Sequence, residues 1–210
     1  MRIWSVTPIH VQPDELARRQ ERYDRLSPPG ISVHLHDIGP HAPRALETDD
    51  DVRASEHCMV QALAQVPDGY HAVMPDCVLD PGVSQLQRTG SLPVIGILRL
   101  NLAHAVALAA PTDAVVRNPA IAREMRTVSQ VYGWAEMLTN ISVVGLDVEA
   151  IAEGERWQAE LERVAAGLAA TGVRRLLNGC SAVDARTREE LPLQVVDPVA
   201  RALRLVAAAA

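Results

Sequence analysis

The stretches Gly69-Tyr-His-Ala-Val-Met-Pro-Asp-Cys77 and Gly172-Val-Arg-Arg-Leu-Leu-Asn-Gly-Cys180 share one layout, about half a chain apart. Each starts at a glycine, continues through a short apolar segment and reaches a cysteine eight positions later. Each is followed by Leu-Pro and another apolar segment, within residues 92–96 and 191–196. This repetition indicates a duplicated lobe. If the two lobes face each other, the two thiols meet across a cleft and can act on opposite faces of one carbon atom.

Apolar segments of strand length alternate with longer helix-forming segments along the chain. Strands are expected at residues 2–7, 31–38, 70–74, 114–116, 141–146 and 173–177, and helices at residues 14–26, 50–65, 101–108, 120–138, 149–170 and 199–210. This alternation predicts an α/β fold with parallel strands, in which ligands bind beyond the carboxyl ends of the strands. Both cysteines fall at that edge. The charged residues of the helix at 14–26 are expected to face solvent.

We therefore expect two pseudo-symmetric lobes, each with a parallel sheet flanked by helices, and an active site in the cleft between them. The first lobe is predicted to contain residues 1–97 plus 197–210, and the second lobe residues 98–196. A chain of 210 residues is long enough to bury a core without disulfides or a metal ion.

The composition restricts the classes of partner. A formal net charge of −6 argues against a nucleic-acid partner and against an anionic membrane, because both require a basic surface. No apolar run reaches the roughly 18 residues of a membrane span, and the first residues lack the apolar region of a signal peptide. Three cysteines do not make a disulfide framework. We expect a cytoplasmic protein that acts on a small molecule.

Cys77 lies in the turn-rich loop Pro75-Asp-Cys-Val-Leu-Asp-Pro-Gly82, directly after an apolar strand. Such a loop can present a side chain together with several backbone N–H groups. An unperturbed thiol has a pKa of about 8.5, so a thiol that acts as a base at neutral pH needs hydrogen bonds or helix N-termini to stabilise its charge. Taken alone, Cys77 could equally be a small buried hydrophobic residue.

Cys180 lies between Gly179 and Ser181. The glycine allows a close approach of a substrate to the backbone, and the serine hydroxyl can donate a hydrogen bond. Two cysteines at one position of a duplicated unit predict a two-base mechanism, in which one thiolate takes the proton next to a carbonyl and the opposite thiol donates one. We expect backbone N–H groups around Val78 and Ser181 to hold the enolate-like intermediate.

At these residues the chain resembles the aspartate/glutamate/hydantoin racemase superfamily and, within it, the hydantoin racemase branch. The matching pieces are Cys77 with Asp80-Pro-Gly82, Leu92-Pro-Val-Ile-Gly-Ile97, Gly179-Cys180 and Val195-Val-Asp-Pro198. The resemblance implies a cofactor-independent enzyme in which the two cysteines are the acid/base pair, and it implies a homo-oligomer. It also makes Asp80 a candidate for substrate binding.

Three segments depart from the pattern of this superfamily. Members usually carry Gly-Glu-Ala where this chain has Leu98-Arg-Leu100, and a hydroxyl-rich stretch where it has Val115-Val-Arg-Asn-Pro119. The loop after the first strand, commonly an asparagine with a hydroxyl residue, contains Thr7 and His10, which we regard as candidate substrate-binding residues. The proton-transfer pair is retained, whereas the residues that would contact the substrate are changed.

The sequence lacks the motifs of a zinc site and of nucleotide binding. His57-Cys58 has no second Cys/His pair nearby, so no metal site is predicted, and there is no phosphate loop or dinucleotide fingerprint. The predicted function is racemisation, without a cofactor, of a 5-substituted hydantoin or of allantoin. The alternatives are an aspartate/glutamate racemase, a maleate-type cis–trans isomerase, and a catalytically inactive relative that binds a small ligand.

Overall fold

The computed structural model describes residues 1–149, 154–168, 171–185 and 193–209, which form two parallel sheets, one in each half of the chain. The first sheet has the order β2-β1-β3, and its strands are β1 (Arg2–Val6), β2 (Ser32–His36) and β3 (Ala72–Pro75). The second sheet has the order β5-β4-β6-β7, and its strands are β4 (Thr112–Val116), β5 (Leu138–Val143), β6 (Arg175–Asn178) and β7 (Gln194–Val196). The predicted α/β fold with two parallel sheets is confirmed.

The two sheets have equivalent topologies. In each, the first strand of the lobe lies between the second and the third, so β4 corresponds to β1 and β6 to β3. A parallel bridge joins Val94 to Val73 of β3, in the way that β7 pairs with β6. The bridge is held by hydrogen bonds of 3.0 Å from the Val73 N–H to the Pro93 carbonyl and of 2.8 Å from the Ile95 N–H to the Val73 carbonyl. This symmetry places Cys77 and Cys180 at matching positions.

Helices flank both sheets. They are α1 (Pro13–Leu26), α2 (Asp49–Ala64), α3 (Val83–Thr89), α4 (Ile97–Ala107), α5 (Pro119–Val131), α6 (Glu155–Leu168) and α7 (Pro198–Ala209). The sequence did not predict α3, and α5 ends earlier than expected because Gly133 has a φ of +74°. A short 3-10 helix at Ala135–Met137 then leads into β5. Residues 150–153 and 169–170 of the helix predicted at 149–170, and residue 210 of the last helix, lie outside the described residues.

The lobes share a hydrophobic core. One cluster of buried side chains combines Ile3 and Met74 from the first sheet with Val116 and Leu177 from the second and Leu203 from α7. Helix α7 packs against α4 and also contacts α1. The lobes therefore bury apolar surface against each other, which fixes the width of the cleft between them. Within the described part of the chain, no helix combines the length and the apolar composition needed to cross a bilayer.

The prediction that the charged residues of α1 face solvent is wrong for two of its arginines. Arg19 and Arg22 are only 5% and 2% exposed. The Arg22 guanidinium donates to the Val183 carbonyl at 2.9 Å, and Arg18 donates to the Ala182 carbonyl at 3.0 Å. Buried guanidinium groups are tolerated where carbonyls and carboxylates accept their protons. Helix α1 of the first lobe thus holds the loop that follows Cys180 in the second.

Candidate active site

A cavity lies between the lobes at the carboxyl ends of β3 and β6. It encloses about 590 Å³ of space between protein atoms, including its opening to solvent. Its lining is mostly apolar. The polar side chains that reach it are those of Arg19, Cys77, Arg117, Cys180 and Ser181.

The two cysteines occupy equivalent places in this cavity. Cys77 follows the end of β3 by two residues, and Cys180 follows the end of β6 by two residues. The Leu79 N–H donates a hydrogen bond to the Cys77 sulfur, and the Ala182 N–H donates to the Cys180 sulfur. In both lobes the donor is thus the residue two positions after the cysteine. Each of these bonds favours the thiolate form and so lowers the pKa of its thiol.

Burial is the largest influence on both thiols and raises the pKa of each above its ordinary value. The nearby charges act in opposite directions. The Asp76 and Asp80 carboxylates raise the pKa of Cys77 further. The Arg19 and Arg22 guanidinium groups lower the pKa of Cys180, although Asp76 raises it. The two thiols are also close enough that the charge of Cys180 raises the pKa of Cys77. The neighbouring charges therefore favour the thiolate form at Cys180 and disfavour it at Cys77.

The loop that carries Cys77 is fixed to the start of α4 by Asp80, which has a φ of +52°. Its carboxylate accepts hydrogen bonds from the Leu98 N–H at 3.0 Å, the Arg99 N–H at 2.8 Å and the Tyr132 hydroxyl at 3.0 Å. Burial nevertheless raises the pKa of Asp80 to about 7, since desolvation outweighs these bonds. Asp80 anchors the loop from behind and does not line the cavity.

The loop that carries Cys180 is fixed to the second sheet by Gly179 and Asn178. The Gly179 N–H donates to the Val115 carbonyl at 2.8 Å, and a Cβ on Gly179 would lie 2.3 Å from that same oxygen. The Asn178 side-chain oxygen accepts from the Trp157 indole N–H at 3.0 Å and from the Cys180 N–H at 3.1 Å. Asn178 was not predicted as a site residue, although an asparagine next to a glycine at a strand end is a typical turn signal.

A direct hydrogen bond joins the two cysteine loops. The Ser181 hydroxyl donates to the Asp76 carbonyl at 2.9 Å. The Asp76 carboxylate in turn accepts from the Tyr23 hydroxyl at 2.7 Å and from Arg19 Nη1 at 3.2 Å. Ser181 therefore lines the cavity with its hydroxyl proton already used inside the protein. No local sequence pattern predicts this network, because its members are distant along the chain.

The loop after β1 contributes backbone and apolar surface to the cavity. Pro8 and Ile9 line it, whereas Thr7 and His10 do not. The Thr7 hydroxyl donates to the Ile9 carbonyl at 2.8 Å, and His10 Nδ1 lies 2.7 Å from Asp37 Oδ2. These contacts give Thr7 and His10 a role in shaping the loop.

The predicted site residues thus fall into two groups. Those brought together at the cavity are Cys77, Val78, Gly179, Cys180 and Ser181. Those placed behind its lining are Thr7, His10 and Asp80.

Arg117 lines the cavity, although from the sequence it was only one of the residues that depart from the family pattern. Its guanidinium donates to the Leu46 carbonyl at 3.0 Å and to the Leu146 carbonyl at 3.3 Å, and it forms an ion pair with Glu47. The side chain is buried and held on several sides. Together with Arg19, it gives the cavity two guanidinium groups.

Among the described residues, no three His, Cys, Asp or Glu side chains are grouped so that they could hold a metal ion.

The model of the Asp/Glu/hydantoin racemase family matches residues 18–206 of the chain. The chain belongs to this family. The superfamily expected from the cysteine motifs is confirmed, and the chain is an isomerase of the racemase type. No curated protein sequence matches the chain.

Solved structures share the fold at low sequence identity. Allantoin racemase from Klebsiella pneumoniae is 20% identical over 99% of this chain and 86% of that chain, with a TM-score of 0.83. Allantoin racemase from Pseudomonas fluorescens is 16% identical over 99% and 90%, also with a TM-score of 0.83. Maleate isomerase from Pseudomonas putida S16 is 12% identical over 100% and 92%, with a TM-score of 0.65. At these identities the likeness establishes the fold.

Proposed function

We propose that the protein is a cofactor-independent racemase that inverts a carbon atom next to a carbonyl group, with Cys77 and Cys180 as its acid/base pair. One observation carries the proposal. The two thiols reach the same cavity from equivalent positions of two opposed lobes. A substrate carbon held between them would have one sulfur on each face, which is the arrangement that inversion requires.

The proposed reaction is a pair of proton transfers. One thiolate takes the proton from the carbon, and the electron pair of the broken C–H bond moves into the adjacent carbonyl to give an enolate-like intermediate. The opposite thiol then donates its proton to the other face of the carbon. The N–H groups of Leu79 and Ala182 stabilise whichever sulfur carries the charge. Backbone N–H groups around Val78 and Ser181 are proposed to stabilise the enolate oxygen.

The lining of the cavity favours a 5-substituted hydantoin or allantoin as the substrate. Among the described residues that line it, none carries a carboxylate. The ammonium group of an amino acid would be left there without an anionic partner, and burying an unpaired charge is costly. A neutral ring that carries its own N–H and carbonyl groups avoids this cost. The shared fold of the two allantoin racemases is consistent with this substrate class.

A second candidate follows from the two guanidinium groups. Arg19 and Arg117 at one cavity would suit a dicarboxylate, as in an aspartate/glutamate racemase or a maleate-type isomerase, because arginine binds carboxylates with paired hydrogen bonds. Both arginines already have carboxylate partners inside the protein, which are Asp76 and Glu15 for Arg19 and Glu47 for Arg117. A substrate carboxylate would have to compete with these partners for the guanidinium protons, which makes the neutral ring the better substrate.

Serine variants of the cysteines test the proposal. Cys77→Ser and Cys180→Ser should each abolish racemisation of the substrate, while exchange of the substrate hydrogen with solvent from one face can survive in one of them. Cys58→Ser is the matched control, because Cys58 is a partly buried free thiol outside the cavity. It should racemise at the wild-type rate. Full activity in both cavity variants would contradict the two-base mechanism.

A catalytically inactive relative that binds a small ligand is the remaining alternative. Thiol chemistry separates it from an enzyme: catalytic cysteines should react with iodoacetamide in the folded protein and be protected by substrate.

We also propose a cytoplasmic location, where all three cysteines stay as free thiols, and a homo-oligomer, as the family resemblance implies. Light scattering coupled to gel filtration tests the oligomer.

A further inference from the structure

The charged groups around the two thiols are arranged asymmetrically, although the backbone around them is symmetric. Arg19 and Cys180 line the same cavity, and Arg22 donates to the carbonyl of Val183 in the loop after Cys180. Both guanidinium groups lower the pKa of Cys180, with Asp76 as the opposing charge. Cys77 faces carboxylates, those of Asp76 and Asp80. The cations come from α1, and the carboxylates belong to the loop after β3. Both sets belong to the first lobe, which thus places opposite charge beside the two sulfurs.

Arg19 is the member of this set that also lines the cavity. Its side chain is held by two ion pairs, with Nε 2.6 Å from a Glu15 oxygen and Nη1 3.2 Å from Asp76 Oδ2. The other Asp76 oxygen accepts from the Tyr23 hydroxyl at 2.7 Å. With both partners fixed, the guanidinium of a first-lobe helix is kept at the second-lobe thiol. A charge held in this way acts more strongly on a neighbouring group than a mobile one at the surface.

We propose that Arg19 is a positioning residue that makes Cys180 the thiolate, and Cys77 the thiol, of the form of the enzyme that starts a turnover. This inference rests on the proposed two-cysteine function. In that form the C–H bond facing Cys180 breaks, the proton bonds to the Cys180 sulfur, and the electron pair moves into the substrate carbonyl. The Cys77 S–H proton then bonds to the opposite face of the carbon and leaves a thiolate at Cys77.

The same charges return the enzyme to its starting form. A thiolate at Cys77 lies beside two carboxylates, so it readily takes a proton from water, while the Cys180 thiol beside Arg19 gives one up. Atoms and charge balance over the cycle, since one proton enters and one leaves. The enantiomer whose hydrogen faces Cys180 is therefore the one that the starting form processes directly.

The test is the pH dependence of alkylation, read separately at each cysteine. The folded protein is treated with iodoacetamide between pH 6 and pH 11 (about the range in which thiols ionise), and peptides containing each cysteine are quantified by mass spectrometry. The midpoint of the pH profile reports ionisation, whereas accessibility sets the plateau. In the wild-type protein the midpoint of Cys180 should be lower than that of Cys77.

Arg19→Met keeps the length of the side chain and removes its charge. The Cys180 midpoint should rise, and labelling of Cys180 below the midpoint should slow by about tenfold, the effect of one pKa unit from a neighbouring charge. Arg19→Lys should restore most of the labelling rate. Arg53→Met is the matched control, because Arg53 is an exposed arginine of α2 that pairs with Asp50 and does not line the cavity. It should leave the midpoint of Cys180 unchanged.

Two outcomes overturn the inference: a Cys180 midpoint that is the same in Arg19→Met as in the wild type, or Cys77 ionising first. Should Arg19→Met fail to fold, Glu15→Gln gives a test of opposite sign, because it removes a carboxylate partner of Arg19 and should lower the Cys180 midpoint. An unchanged or higher midpoint there counts against the role of Arg19. Alkylation needs no substrate, so it tests the role of Arg19 separately from the racemase activity. If the protein showed the expected midpoints but racemised no substrate, the proposed function would be refuted and the assignment of the charges would stand.

Discussion

Gly179→Ala tests how the second cysteine is held. A Cβ at this position would lie 2.3 Å from the Val115 carbonyl oxygen and 2.6 Å from Val116 Cγ1. A Cβ contact essentially never falls below 3.0 Å, so the loop must move by at least about 0.7 Å. Overpacking costs about 1 to 3 kcal/mol, and the strained hydrogen bond to Val115 adds about 1 kcal/mol. We expect the free energy of unfolding to fall by about 2 to 4 kcal/mol.

The same displacement should reduce activity, because Cys180 is the next residue. A misplacement of about 1 Å can cost on the order of 100-fold in rate. Urea denaturation gives the stability, and loss of optical rotation gives the racemisation rate. Gly167→Ala is the control, because Gly167 lies in α6 with open space around it, and alanine there should stabilise the helix by about 0.5 to 1 kcal/mol. If Gly179→Ala unfolded at the wild-type urea concentration with its rate intact, the account of this loop would be refuted.

Three further changes test the remaining contacts. Asp80 has a pKa of about 7 in the folded protein and of about 3.9 in the unfolded chain. The folded protein therefore binds the proton more tightly, and the stability that this proton contributes at low pH is lost as the pH rises from about 4 to about 7. Asp80→Asn should remove this slope from the pH dependence of unfolding, and parallel curves for the two proteins would contradict it. Ser181→Ala removes the hydrogen bond to the Asp76 carbonyl and should lower the free energy of unfolding by about 1 to 3 kcal/mol in urea titrations, whereas an unchanged value would show that the loops are not joined there. Trp157→Phe keeps a buried ring and removes the donor to Asn178, so it should cost about 1 to 3 kcal/mol and slow racemisation; a neutral result would remove Trp157 from the support of Cys180.

Local repetition in the sequence was enough to predict the fold and the position of the cysteine pair. The spacing from Gly69 to Cys77 and from Gly172 to Cys180 identifies one strand and one loop in each lobe, and parallel strands bring their carboxyl ends to one edge. The prediction needed only which residues follow a strand. For the same reason Val78 and Gly179, the immediate neighbours of the cysteines, lie at the cavity as expected.

The surroundings of the pair could not be read from local pattern. Arg19 bonds to Asp76 at a separation of 57 residues, and Arg22 reaches Val183 at a separation of 161 residues. Arginines on a helix are usually exposed, and nothing in the periodicity of α1 shows that its polar face meets the other lobe. His10 illustrates the converse case. It follows a strand and was expected at the cleft, but it is turned toward Asp37, whose position depends on the end of β2.

The most direct test of the central claim is incubation of the purified protein in D₂O with single enantiomers of a 5-substituted hydantoin, allantoin, aspartate and glutamate. Optical rotation and deuterium at the inverted carbon are followed together against enzyme-free controls, because hydantoins exchange slowly without a catalyst. The account predicts that rotation is lost and deuterium enters together on a hydantoin or on allantoin, and not on the amino acids. If optical rotation were lost only with aspartate or glutamate, the substrate would be a dicarboxylate and the hydantoin assignment would be wrong. If none of the four compounds lost rotation or took up deuterium beyond its control, the proposed racemase function would be contradicted.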